Sequence, residues 1–330
     1  MRKQFAVAVL AASFALASGP ASAYTTLFAF GDSLSDAGNL FALKGIPSAP
    51  YVDHHFSNGP TWVEDLSEDL GLGALKPSAS RGTDFAVGGA TTGGDLPIDL
   101  DYQVAEFEAY AAAAKLTAKT INGALFTLDI GANDTLSDPA TAMTVVTDAA
   151  NSAAAEVAQL HDKDGARNLL FYEVPNLGLT PDAMAQGPAA KAAASMLALL
   201  FNKTVLDDLA PLETGADPLN LFALNMFDEL SDVVADPSRY RFTDVTDPCW
   251  TGNFAGSGGT LCSTDPDKQN KFLFWDGLHP TKRGHMITAD LAYALVAPEP
   301  STWAMILIGS AGLGLAGWRA QRSRAASARA

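Results

Sequence analysis

Short apolar runs alternate with longer, alanine-rich stretches of helical period along most of this chain, and that alternation constrains its fold more than any other feature. The candidate strands are residues 25–30, 84–87, 124–130, 167–174 and 220–225. The candidate helices are 61–70, 104–115, 141–161, 189–209 and 281–296. In 141–161, Met143, Val146, Ala150, Ala153, Val157 and Leu160 recur at three- and four-residue steps, the signature of a buried helical stripe. Strands separated by helices pair in parallel and carry helices on both faces of the sheet. The expected class is α/β, with five mainly parallel strands. In such sheets ligands bind at the carboxyl ends of the strands.

The two ends of the chain read as addresses rather than as parts of this fold. Arg2 and Lys3, an apolar stretch over 5–16 and Ala21-Ser22-Ala23 form the ordered elements of a secretory leader, with cleavage by signal peptidase expected after Ala23. At the other end Pro298-Glu299-Pro300 precedes an apolar, glycine-rich run over 304–318 and then Arg319, Arg322, Arg324 and Arg329. The run is slightly short for a full membrane span of about 20 residues, and the arginines would stay on the cytoplasmic side. This tail resembles the PEP-CTERM sorting signal of Gram-negative bacteria. The resemblance implies processing by an exosortase, transient anchoring in the inner membrane, and a final place in the periplasm, at the outer surface or in the extracellular matrix. Residues 24–297 remain as one domain, a size suited to a single core.

The chain has 21 basic and 37 acidic side chains, a net charge of −16. Without the two ends the body carries about −21, a field that repels nucleic acid and anionic membranes and keeps a secreted monomer soluble. Cys249 and Cys262, the two cysteines, lie in a Gly-, Ser- and Thr-rich stretch within 238–271. In an exported protein they are expected to pair, with a contribution of roughly 3 kcal/mol from closing the loop. Their spacing fits no zinc pattern.

Four segments carry the chemistry. In Phe30-Gly31-Asp32-Ser33-Leu34-Ser35-Asp36-Ala37-Gly38-Asn39 an apolar run stops at a glycine and a serine follows in a tight turn, where nearby amides can stabilise negative charge. No Gly-x-Ser-x-Gly elbow surrounds Ser33, which disfavours an α/β-hydrolase. In Asp84-Phe85-Ala86-Val87-Gly88-Gly89-Ala90-Thr91 the paired glycines permit close backbone approach to a ligand, or simply make a turn. In Asp129-Ile130-Gly131-Ala132-Asn133-Asp134 the Asn133 amide can donate to an oxyanion or cap a helix. In Trp275-Asp276-Gly277-Leu278-His279-Pro280-Thr281 an acid and a histidine three residues apart can form an orienter–base pair.

Taken together and in this order, the four segments resemble the four blocks of the GDSL/SGNH hydrolases, most closely the secreted bacterial esterase/phospholipase branch. The resemblance spans 31–281. It implies a flavodoxin-like three-layer α/β/α sandwich, with Ser33 as nucleophile, His279 as general base and Asp276 as its orienter. It also implies an oxyanion hole made of the Ser33 and Gly89 amides and the Asn133 side chain, with no metal or cofactor. Asp84 departs from the pattern, which places an asparagine there, so the geometry of the glycine turn is the point to examine.

The implied activity is cleavage of carboxylic esters through an acyl-enzyme on Ser33. A carbohydrate O-acetylesterase or acyltransferase acting on exopolysaccharide is an alternative that the tail suggests. A non-catalytic matrix protein retaining the fold is another, which the intact Ser33, Asn133, Asp276 and His279 disfavour. Among the remaining histidines, adjacent His54 and His55 share no helix face and have no evident third metal ligand. His161 is expected at a helix end, and His285 on the surface beside Lys282 and Arg283. Residues 51–62 are candidates for lining the cleft. Trp250 and Phe254 could gate it or pack in its loop.

Overall fold

The computed structural model describes residues 24–94, 96–135 and 142–297. The expected leader, 1–23, and the sorting tail, 298–330, lie outside the described residues. Strands β1 (Leu27–Gly31), β2 (Leu125–Asp129), β3 (Asn168–Tyr172) and β4 (Asn220–Leu224) form a parallel sheet in that order. Residues 84–87 run along the free edge of β1, where Phe85 N–H donates to the Ala29 carbonyl at 2.7 Å and Val87 N–H to the Gly31 carbonyl at 3.1 Å. With that segment the order is that of flavodoxin-like sheets. The fifth run pairs with β1 only by an isolated bridge. It is bounded by Gly82 and Gly88, and the Asp84 carboxyl accepts from Ala86 N–H two residues on and from the distant Ala37 N–H.

Six helices flank the sheet: α1 (Trp62–Asp69), α2 (Leu100–Ala114), α3 (Ala142–Gln159), α4 (Pro188–Leu209), α5 (Met226–Ala235) and α6 (Lys282–Val296). Successive side chains along a strand point to opposite faces, and both faces are apolar here. Phe28, Phe30, Phe126 and Phe171 pack towards α2, α3 and α4. Leu27, Ala29, Leu125 and Leu170 pack towards Trp62 and Leu66 of α1 and Ala289 and Ala292 of α6. This double burial explains why the strands read as unbroken apolar runs. Residues 188–213 are long and apolar enough to cross a membrane, and one side of this segment, with Leu197, Phe201, Val205 and Leu209, is buried in the core.

The stretch 238–271 is more ordered than its composition suggests. It holds β5 (Asp244–Pro248), which pairs in parallel with β6 (Phe272–Phe274) immediately before the Asp-His segment. Cys249 and Cys262 are joined as a disulfide.

The inward stripe of α6 overturns one expectation. His285 is 2% exposed, because Gly284, His285, Thr288, Ala289 and Ala292 form the buried face while Lys282 lies against Gly59 at the helix start. Burial, with smaller contributions from His279 and His55, depresses the His285 pKa to about 3. An unfolded chain binds a proton on this ring below about pH 6.5, whereas the native state resists until about pH 3. Stability from this residue is therefore full above 6.5 and falls as pH drops towards 3, by roughly 5 kcal/mol in total. Urea unfolding of wild type and His285→Gln between pH 7 and 4 tests this, and the variant is expected to show the shallower loss on acidification.

Candidate active site

Gly31 ends β1 with φ 147°, and a Cβ there would lie 2.1 Å from the Asp129 carbonyl oxygen. Only glycine lets the chain turn this tightly against β2. The following turn closes with Ser35 and Asp36 N–H donating to the Asp32 carbonyl, and the helix after it begins only at Asn39. Ser33 therefore sits on a turn at the carboxyl end of the sheet. The Asp32 carboxylate fixes that turn by accepting from Leu34 N–H at 3.1 Å.

The Asp-His segment arrives from β6 at the same end. Trp275 N–H donates to the His279 carbonyl at 2.7 Å, folding 275–279 into a compact loop. His279 Nε2 lies 2.8 Å from Ser33 Oγ, and Nδ1 lies 2.8 Å from Asp276 Oδ2 and 2.9 Å from Oδ1. Asp276 Oδ1 also accepts from Leu278 and His279 N–H at 2.9 and 2.8 Å. All three side chains are buried.

Burial pulls the His279 pKa down, but the charge and hydrogen bond of Asp276, with Asp32 and Asp182 further away, outweigh it and leave it raised. Burial opposes ionisation of Asp276 as well, yet His279 and the loop amides hold its carboxyl below the usual range. The pair thus favours imidazolium–carboxylate, the state that follows proton transfer from a serine.

Of the other sequence candidates, Asn133 lines the same cavity as Ser33. Asn133 Nδ2 donates to the Ala90 carbonyl at 2.8 Å and lies 3.4 Å from Asp32 Oδ2. The Gly88 N–H is taken by Asp36 Oδ2 at 2.8 Å. Gly89, at φ 83°, has no acceptor for its N–H among the described residues. Asp84 needs no donor to hold this turn. Its carboxyl oxygens accept from Ala37 and Ala86 N–H, while Asn39 Nδ2 supplies hydrogen bonds to the Asp84 and Ala86 carbonyls.

Two acids that the motif reading left without a role lie beneath the serine. Burial pushes Asp129 up to about 7, with Ser35 and Trp62 pulling the other way. Burial, and then Asp129, raise Asp32 well above the carboxylate range.

The remaining histidines disperse. His54 stacks on Phe41, and His55 Nε2 pairs with Glu64, which also caps α1 through Thr61. His161, buried at the end of α3, contacts Asp162 and the Asp217 carbonyl. Trp250 packs with Cys249, Tyr51 and Trp275, whereas Phe254 is half-exposed with its ring centroid 5.8 Å from that of His279.

A hydroxyl, an imidazole and a buried carboxylate in one hydrogen-bonded line define the site of a serine hydrolase. The family model for GDSL-like Lipase/Acylhydrolase matches residues 27–292, and the chain belongs to this family of carboxylic ester hydrolases. A second model, the PEP-CTERM protein-sorting motif, matches 296–323. The phosphatidylcholine-sterol acyltransferase of Aeromonas hydrophila is 28% identical over 75% of this chain and 72% of its own length. The GDSL esterase/lipase At1g71691 of Arabidopsis thaliana is 26% identical over 81% of each chain. Among solved structures, the acetylxylan esterase Axe2 of Geobacillus stearothermophilus aligns with TM-score 0.40 at 14% identity, covering 83% of this chain and 94% of its own.

Proposed function

We propose that this protein is an exported hydrolase of fatty acyl esters that works through an acyl-enzyme on Ser33. The observation that carries the acyl preference is an apolar cavity that includes Ser33 and His279 in its lining. Its walls are otherwise mostly apolar, among them Leu177, Leu230, Val233, Phe242, Leu273 and Ile287. Apolar walls beside the nucleophile favour a hydrocarbon acyl chain over an acetylated glycan.

In the proposed reaction His279 Nε2 takes the Ser33 proton as Oγ attacks the ester carbonyl. The oxyanion is held by the Ser33 and Gly89 amides and by Asn133. His279 then protonates the leaving alcohol, and a water deprotonated by the same ring releases the acid. An alcohol in place of that water would make the same site an acyltransferase, the activity named for the Aeromonas relative. The site uses side chains and amides of this chain alone. The sorting motif supports export and exosortase processing, and we place the mature domain, 24–297, in the periplasm or outside the outer membrane as a monomer.

The test is a p-nitrophenyl ester series from acetate to palmitate. Wild type is expected to prefer medium or long chains. Leu230→Trp, which fills a half-buried wall of the cavity, is expected to lower kcat/KM for long chains by at least about tenfold and to spare acetate. An acetate preference in wild type, or equal losses at every chain length, would contradict the acyl reading.

A further inference from the structure

We propose that Tyr51 is a positioning residue for Asp276, and that the loop closed by Cys249–Cys262 holds it in place; the proposal rests on the triad reading above. Tyr51 Oη donates to Asp276 Oδ2 at 2.8 Å, and both side chains are buried. Asp276 Oδ1 already accepts from two backbone amides, whereas among the described residues Oδ2 is otherwise met only by His279 Nδ1. Tyr51 supplies the second donor to Oδ2, the carboxyl oxygen that has no backbone donor among the described residues. A buried carboxylate oxygen short of a donor is costly and free to rotate out of line. The Tyr51 hydroxyl remains protonated throughout any working pH, because burial and the neighbouring Asp276 both oppose its ionisation.

The disulfide loop reaches both partners of this hydrogen bond. Its base is stitched to the strand leading into Asp276: Cys249 N–H donates to the Phe274 carbonyl at 3.1 Å and Trp250 N–H to the Trp275 carbonyl at 2.6 Å. Its tip holds the segment leading into Tyr51. Ser48 N–H donates to the Phe254 carbonyl at 2.8 Å, and a Cβ on Gly256 would lie 1.9 Å from the Ala49 carbonyl oxygen. The Tyr51 ring packs edge-on against Phe254 and Trp275 at 5.9 and 6.0 Å between centroids. One covalently closed loop thus spans the gap between two segments 225 residues apart in sequence.

The charge on Oδ2 is shared between the phenol and the imidazole. Without the phenol more of it is offered to the ring, the imidazolium gains stability, and His279 titrates at higher pH. Asp32 and Asp182, which also raise His279, and His285, which faces it as a neutral ring, are untouched by this change.

The experiment compares Tyr51→Phe, the double variant Cys249→Ser/Cys262→Ser, and all three changes together. Tyr51→Phe is expected to lower kcat about tenfold with KM nearly unchanged, and to move the acid limb of kcat/KM to higher pH. The cysteine variant is expected to move both in the same direction, and the triple variant to add little to Tyr51→Phe alone. A lower melting temperature with an unmoved acid limb and unchanged kcat would reduce Tyr51 to a structural residue and overturn the proposal. Fully additive losses would overturn the role of the loop. His279 ring titration by NMR in a Ser33→Ala background reads the same coupling without turnover. If Ser33→Ala retained activity, the triad reading would fail while this titration still judged Tyr51.

Discussion

Replacing Ser33 by alanine is expected to lower kcat for ester hydrolysis by roughly 10⁴–10⁶-fold, with KM within a few-fold of wild type. In the proposed mechanism the hydroxyl at 2.8 Å from His279 Nε2 is the atom that forms the acyl bond. In the same reading substrate binding relies on the apolar walls of the cavity, which the substitution leaves intact. What survives in the variant is the contribution of the oxyanion donors and of binding. Initial rates on a medium-chain p-nitrophenyl ester, with the fold checked by circular dichroism, measure the loss. A variant within tenfold of wild type would mean that Ser33 does not carry the acyl group.

The second large effect concerns the acid. Asp276→Asn is expected to reduce kcat by about 10⁴-fold without unfolding the protein. The loop decides how the amide sits. Leu278 and His279 N–H both donate to the Oδ1 position, so the amide oxygen is held there. The amide nitrogen then occupies the Oδ2 position and donates to His279 Nδ1. That places the ring proton on Nε2, where it faces Ser33 and blocks proton abstraction. Tyr51 can rotate its hydroxyl hydrogen away, so its packing survives. The nitrogen shifts of the His279 ring report the tautomer directly. An unchanged tautomer with full activity would remove Asp276 from the mechanism.

The parts of this site legible in the sequence are those held by short-range turns. Ser33 follows a strand that must stop at Gly31, and Asp276 and His279 share one five-residue loop, so their chemistry is compressed into motifs. The alternation of apolar runs and helices conveyed the layers because both faces of the sheet are buried. Less local features were hidden. Tyr51 meets Asp276 across 225 residues, and nothing in a window around either predicts it. The burial of His285 depends on which face of α6 turns inward, and the charged neighbours Lys282 and Arg283 pointed the wrong way. β5, with two aspartates in five residues, has no apolar alternation to reveal it. The cavity draws its walls from β3, α5, β6 and α6, and so corresponds to no contiguous signal.

The whole account depends on Ser33 being an activated nucleophile rather than a turn residue that happens to lie near a histidine. Treating the folded domain with a fluorophosphonate and recording its intact mass tests this most directly. The account predicts one stoichiometric adduct, mapped to Ser33 by peptide sequencing, formed rapidly in wild type and lost in both Ser33→Ala and His279→Ala. An active preparation that takes up no label, or takes it up at another residue, would contradict it.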